Sequence, residues 1–182
     1  VSKKQNETVS DIQKLAALIR SIPDFPKKGI DFKDITTLLQ DRDAFNQVIT
    51  HFAKRHGDKN VDAVVAVEAR GFILGGALAY ELGAAFVPIR KRGKLPYKTY
   101  EVTYDLEYGT ETIAVHQDAV KPGQRVIVFD DLLATGGTVE AVLALMNRLG
   151  ATVVEVAFLI ELAFLNGRER LKSYPVYSAI KL

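Results

Sequence analysis

Val126-Ile127-Val128-Phe129-Asp130-Asp131-Leu132-Leu133-Ala134-Thr135-Gly136-Gly137-Thr138 is the stretch whose reading decides the fold. Its first four residues are apolar and mostly β-branched, the composition of a strand covered on both faces. Two acids follow, then Thr-Gly-Gly-Thr, a tight turn opening a helix that ends near Leu149-Gly150. A buried strand turning into a helix is the repeating unit of a parallel α/β sheet. Open sheets of that kind place their ligands at the carboxyl ends of the strands, and here that end carries the acids.

Working outward, the same pattern recurs. Val61 to Val67, Ala85 to Ile89, Arg125 to Phe129 and Val153 to Ile160 are short apolar runs, and Pro175 to Ile180 reads as a last strand. Gly71 to Leu82 is a helical stretch between the first two. Tyr97 to His116 differs, since Tyr100, Val102 and Tyr104, then Ile113 and Val115, alternate about Tyr108-Gly109-Thr110, predicting a projecting antiparallel ribbon. Near the start, Ser10-Asp11 caps an expected helix with Ile12, Leu15, Ala16 and Ile19 on one face. Pro23, Pro26 and Gly29 then impose an irregular path. A second helix is expected from about Arg42, with Phe45, Val48, Ile49 and Phe52 inward and Gly57 closing it. The expected architecture is α/β, a mainly parallel sheet flanked by helices, with a small N-terminal hood over residues 1–36 and a core over 37–182.

Composition narrows the function. The 182 residues suit one domain. A formal charge of +2 is too small to argue for nucleic acid, although Arg90-Lys91-Arg92-Gly93-Lys94 is a basic cluster of a size that suits a small anion. With no cysteine, disulfides and thiolate zinc sites are excluded, and His51, His56 and His116 lack metal-ligand spacing. No run approaches the ~18 apolar residues of a membrane span, and Val1 to Asp11 lacks a secretory apolar run, so a cytoplasmic location is expected.

The central stretch also carries the chemistry. Glycines at 136 and 137 let backbone approach an anion, helix-opening amides point at it, and Thr135 and Thr138 add hydroxyls, which makes a cradle for a monophosphate. Carboxylates repel phosphate, so Asp130 and Asp131 suit neutral hydroxyls or a cation between them and the ligand. A ribose diol between cradle and acids meets both demands. The segment lacks the Gly-Lys-Ser/Thr of a Walker loop and is not Gly-x-Gly-x-x-Gly. One cradle is insufficient for a highly charged ligand: a helix N-terminus contributes ~0.3–1 kcal/mol, up to ~2, whereas millimolar affinity needs about 4 kcal/mol. Arg70, after a strand and before Gly71, and the basic cluster that holds Lys91 are candidates for the additional cations. Read alone, each also fits an ordinary surface charge, and the Asp pair a solvated loop.

The stretch resembles the phosphoribosyl pyrophosphate motif of the type I phosphoribosyltransferases. The likeness runs over roughly residues 10 to 180, through Pro23-Asp24-Phe25-Pro26, Gly29 to Ile35, Glu68-Ala69-Arg70-Gly71-Phe72, Arg90 to Pro96 and Tyr104 to Gly109 in family order. The resemblance implies the type I phosphoribosyltransferase fold and, in the adenine-using branch, transfer of phosphoribose from phosphoribosyl pyrophosphate to adenine, giving AMP and pyrophosphate in purine salvage. It assigns Thr135, Gly136, Gly137 and Thr138 to the 5′-phosphate, and Asp130 and Asp131 to the ribose and its developing positive charge. Glu68 to Gly71 becomes the pyrophosphate loop, where the family often has a cis non-proline peptide, with Arg70, Arg90, Lys91 and Lys94 on pyrophosphate. Ala134 stands where 6-oxopurine enzymes usually carry an acid, Leu132 and Leu133 flank the purine, and backbone at Asp31 and Lys33 reads adenine. Here the family usually has an apolar residue and Arg. Glu107 and Tyr108 lie at the ribbon tip, with Glu107 a candidate to exchange a proton with the base. Mg²⁺, held mainly by substrate, is the implied cofactor, and a homodimer with Arg90 to Pro96 near the partner the implied assembly, with no nucleic-acid or membrane partner. A non-catalytic regulator on this fold and a xanthine or orotate transferase are the alternatives; the intact basic loop, Glu107 and the lack of a helix-turn-helix segment argue against the regulator.

Overall fold

The structure, a computed structural model, describes residues 12–105 and 109–182. In chain order the strands are β1 (Arg20–Pro23), β2 (Asp31–Asp34), β3 (Ala63–Val67), β4 (Ala85–Lys91), β5 (Thr99–Asp105), β6 (Thr110–His116), β7 (Arg125–Leu133), β8 (Thr152–Glu161) and β9 (Val176–Lys181). The helices are α1 (Thr36–Gln40), α2 (Arg42–His56), α3 (Arg70–Leu82) and α4 (Gly137–Leu149).

Alternation along the central strands builds two cores. Val65, Val67, Val126 and Val128 turn to one face, where Val139, Val142 and Met146 of α4 cover them. Val64, Ile127 and Phe129 turn to the other, against Val48 and Phe52 of α2 and Leu74 and Leu78 of α3. All five residues of β3 are buried, as a strand covered on both sides requires. Each large apolar side chain so enclosed contributes about 1.5–3 kcal/mol.

The seven-stranded sheet has the order β5-β6-β4-β3-β7-β8-β9. β4, β3, β7, β8 and β9 run parallel, while β6 pairs antiparallel with β4 and with β5. From β3 the chain steps to β4 on one side and later returns to β7 on the other, so strand order reverses between β3 and β7. Such a reversal opens a crevice at the strands' carboxyl ends. β1 and β2 form a separate antiparallel hairpin, pairing Ser21 with Lys33 and Pro23 with Asp31.

Three sequence expectations are corrected. The ribbon does not project freely: its β6 joins the main sheet through Arg90↔Ala114 and Lys91↔Ile113, which gives its inward backbone groups partners. The strand before the acids does not end at Phe129 but continues to Leu133, so both acids are strand residues paired toward β8 through Asp130↔Phe158 and Leu132↔Ile160. The first helix gives way at Leu15 to a 3-10 turn ending at Leu18, and β1 follows at Arg20; Ser10 and Asp11 lie outside the described residues. α2 agrees with its prediction, and Asp41 caps it by accepting from the amides of Asp43 (3.0 Å) and Ala44 (2.9 Å).

Candidate active site

The end of β3 and the end of β7 bound a cavity of about 370 Å³ at the strand-order reversal. Residues that the sequence nominated line it: Arg70 with Glu68 and Ala69 of its loop, Lys91, Asp130, Asp131, Leu132, Leu133, Ala134, Thr135, Gly136, Gly137 and Thr138.

The turn Thr135–Thr138 owes its shape to Gly136, whose φ of +85° is left-handed and disfavours any other residue. Gly136 is also the N-cap of α4 and offers no side chain to the helix's first amides, in contrast to Asp41 on α2. Those donors stay available to an anion. Thr138 Oγ1 donates to the Tyr104 hydroxyl over 3.1 Å, and Tyr104 donates to Glu111 Oε2 over 3.2 Å.

The acids sit beside this turn. The Asp131 amide donates to Asp130 Oδ1 over 2.9 Å. Asp131 is 5% exposed, and its Oδ2 lies 2.6 Å from Arg70 Nε. The Arg70 guanidinium is the only cation paired with this oxygen among the described residues. Enclosure and the neighbouring Asp131 charge push the Asp130 carboxyl well above the usual range; enclosure also pushes Asp131 up, against the pull of Arg70. Asp130, half-buried, is itself one of the residues lining the cavity. Gly71 opens α3 against this carboxyl: a Cβ there would stand 2.8 Å from Asp130 Oδ1.

On the facing side, Arg70 Cζ lies 4.8 Å from the centre of the Phe32 ring, joining hairpin β1–β2 to the site. The Glu68–Ala69 peptide is cis. Lys91 pairs with Glu111, which raises the lysine's pKa. Arg90 and Lys94 are not among the lining residues: Arg90 Nε donates to Glu68 Oε2 over 2.6 Å and its Nη1 to the Lys94 carbonyl over 3.1 Å. Lys33 Nζ donates to Asp31 Oδ2 over 2.7 Å, so these two side chains satisfy one another on the hairpin, away from the cavity lining. Glu107 and Tyr108 lie outside the described residues.

Sequence reasoning missed Tyr104 and Glu111 as site residues. Both line the cavity, paired directly across the ribbon as Tyr104↔Glu111. The alternation of Tyr100, Val102 and Tyr104 was a usable signal for the tyrosine; Glu111 becomes visible only once the hairpin register is known. Among the described residues no group of three or more His, Cys, Asp or Glu could hold a metal ion. The two acids, with Asp131 already engaged by Arg70, fit an ion that takes most of its ligands from phosphates and water.

Residues 34–181 match the family described as Phosphoribosyl transferase domain. The adenine phosphoribosyltransferase of Syntrophotalea carbinolica is 58% identical over 93% of this chain and 99% of its own length. The crystal structure of the Thermoanaerobacter pseudethanolicus adenine phosphoribosyltransferase superposes with a TM-score of 0.91 at 51% identity, covering 94% of this chain and 99% of that one. The Saccharomyces cerevisiae enzyme, solved with an imino-altritol bisphosphate and adenine, gives 0.88 at 36% identity over 93% of this chain and 98% of that one. The chain therefore belongs to the phosphoribosyltransferase family, in its adenine phosphoribosyltransferase branch.

Proposed function

We propose that this cavity is where adenine displaces pyrophosphate from phosphoribosyl pyrophosphate to give AMP, the purine-salvage reaction of the branch. The observation that carries the proposal is the under-compensated acid pair beside an uncapped helix N-terminus. The amides and hydroxyls of Thr135 to Thr138 take the 5′-phosphate. Asp130 and Asp131 then lie under the ribose, accept its hydroxyl hydrogens and stabilise positive charge as the anomeric carbon loses its leaving group. Arg70 and Lys91 receive the pyrophosphate, with Arg90 and Lys94 adding positive charge from behind. Mg²⁺ bound to the substrate's phosphates would neutralise charge on the leaving group.

A ring nitrogen of adenine supplies the electron pair for the new N–C bond. The C–O bond to pyrophosphate breaks, its pair leaving with the oxygen, and the base gives up its proton, for which Glu107 is the candidate acceptor. Leu132 and Ala134 offer the purine an uncharged wall, and backbone at Asp31 and Lys33 reads its edge. Tyr108, beside Glu107, belongs to the substrate contacts at the ribbon tip. Residues 1–36 act as the hood over this base and 37–182 as the core, in a cytoplasmic homodimer. Ile73 (48% exposed) and Tyr80 (87%), seven residues apart on one face of α3, support an interface there.

The test is incubation with phosphoribosyl pyrophosphate, Mg²⁺ and adenine, hypoxanthine, guanine, xanthine or orotate in turn, with product separated by chromatography. AMP from adenine, and no product from the others, is expected. Product from a 6-oxopurine or orotate instead, or no turnover with any base, overturns the proposal.

A further inference from the structure

A second turn, far along the chain, presses on the phosphate turn from behind. The Gly167 backbone lies so near residues 134–135 that a Cβ on it would stand 2.1 Å from the Ala134 carbonyl oxygen and 3.0 Å from the Thr135 carbonyl carbon. The contact is reciprocal, since a Cβ on Gly136 would stand 2.6 Å from the Gly167 carbonyl oxygen. In both directions the obstacle is backbone, which cannot rotate aside as a side-chain tip does. Gly136 is glycine for a left-handed φ as well. Gly167 opens a 3-10 turn (Gly167–Leu171) and has no positive φ, so closeness alone demands a glycine there.

The turn is held firmly enough to act as a stop. Arg168 Nε donates to Glu161 Oε1 over 3.0 Å, and its Nη1 to the Val176 carbonyl over 2.8 Å, tying the turn to β8 and β9. Arg170 Nη1 reaches Glu140 Oε2, on the first turn of α4, at 3.0 Å. Leu171 is fully buried. The phosphate turn is thus fixed by its own strand and helix on one side and by residues 166–171 on the other.

We propose that Gly167 is a positioning residue that sets where the Thr135–Thr138 amides stand, and that it tunes affinity for the 5′-phosphate without touching any ligand. This rests on the assignment of that turn to the 5′-phosphate. A Cβ at 167 displaces the 134–136 backbone, and a shift of about 1 Å at such a site changes rate or affinity on the order of tenfold to a hundredfold. The loss falls on ligands bearing a 5′-phosphate and spares pyrophosphate, which sits on Arg70 and Lys91 instead.

The experiment measures binding of AMP, adenosine and pyrophosphate by calorimetry, and KM for phosphoribosyl pyrophosphate and adenine, in the parent protein, Gly167→Ala and Arg168→Lys. For Gly167→Ala, AMP affinity falls about tenfold or more and the phosphoribosyl pyrophosphate KM rises to match, while pyrophosphate binding stays within about twofold. Arg168→Lys keeps the charge but loses the forked hold on Glu161, so it loosens the stop without adding bulk; a drop of about threefold for AMP alone is expected. It decides the matter if Gly167→Ala does not fold. AMP affinity within twofold of the parent, or AMP and pyrophosphate weakening in parallel, overturns the proposal. Equal affinity of the parent for AMP and adenosine would instead remove the phosphate assignment itself, and the positioning role with it.

Discussion

Two sets of buried carboxylates in this molecule face opposite fates. Glu155 on β8 is 4% exposed and meets two cations, Arg55 at 2.7 Å and Lys59 at 3.3 Å, and the His56 ring at 2.7 Å. Burial works against its charge, yet the hydrogen bonds from His56 and Arg55 and their charges win, lowering its pKa to about 2. Asp130 and Asp131 share one guanidinium, that of Arg70, and both are pushed up. The structural acid is over-compensated and the cavity acids are under-compensated. A fold that only needed stability would treat them alike. Under the proposed function, the deficit at Asp130 and Asp131 serves something positive, such as a ribose whose anomeric carbon is losing its leaving group or a cation carried by phosphates.

The sharpest way to break this contrast is to neutralise each set. Asp130→Asn or Asp131→Asn is expected to lower kcat by about 10²–10³-fold, the range for removing a group aimed at developing charge. Stability should move the other way for Asp130. An acid whose folded pKa is raised loses stability as pH climbs from its unfolded value toward its folded one. Chemical denaturation at several pH values should therefore show Asp130→Asn flattening that decline and gaining stability near neutrality. A destabilised variant would mean that the acid is structural.

Glu155→Gln is the mirror experiment. A carboxyl lowered from 4.5 to about 2 is worth about 3 kcal/mol of linkage, fully present above pH 4.5 and lost as pH falls toward 2. The variant should lose about that much stability at pH 7 and lack the parent's acid limb, while kcat/KM for adenine stays within about twofold in the folded protein. A large loss of turnover without loss of stability would erase the distinction between the two sets.

The smallest expected effect concerns Lys91, whose charge is held by Glu111. Glu111→Gln keeps an acceptor for Tyr104 and frees the lysine for pyrophosphate. The KM for phosphoribosyl pyrophosphate is expected to fall about threefold, the scale of a partly exposed ion pair. A rise in KM would show instead that Glu111 itself meets the substrate.

Much of the site is legible in the amino-acid sequence. Asp130 to Thr138 can be placed because strand, acids, glycine turn and helix are contiguous, and local backbone geometry ties one to the next. Arg70 is legible for the same reason, as the residue joining β3 to α3. Arg90 and Lys94 mark the limit. Their charge suggests a common anion, but strand alternation sends Arg90 to Glu68 and the Lys94 carbonyl while Lys91 lines the cavity.

By itself the sequence determined a parallel α/β sheet and the motif at its carboxyl edge, because both follow from patterns within a dozen residues. Only the tertiary structure decided that Glu111 meets Lys91, that Arg70 stacks over Phe32, that Glu155 gathers Arg55, His56 and Lys59, and that Gly167 braces residues 134–136. Those partners lie far apart along the chain, and strand register and packing bring them together. A one-residue slip of register turns such side chains to the opposite face, so no local pattern encodes them.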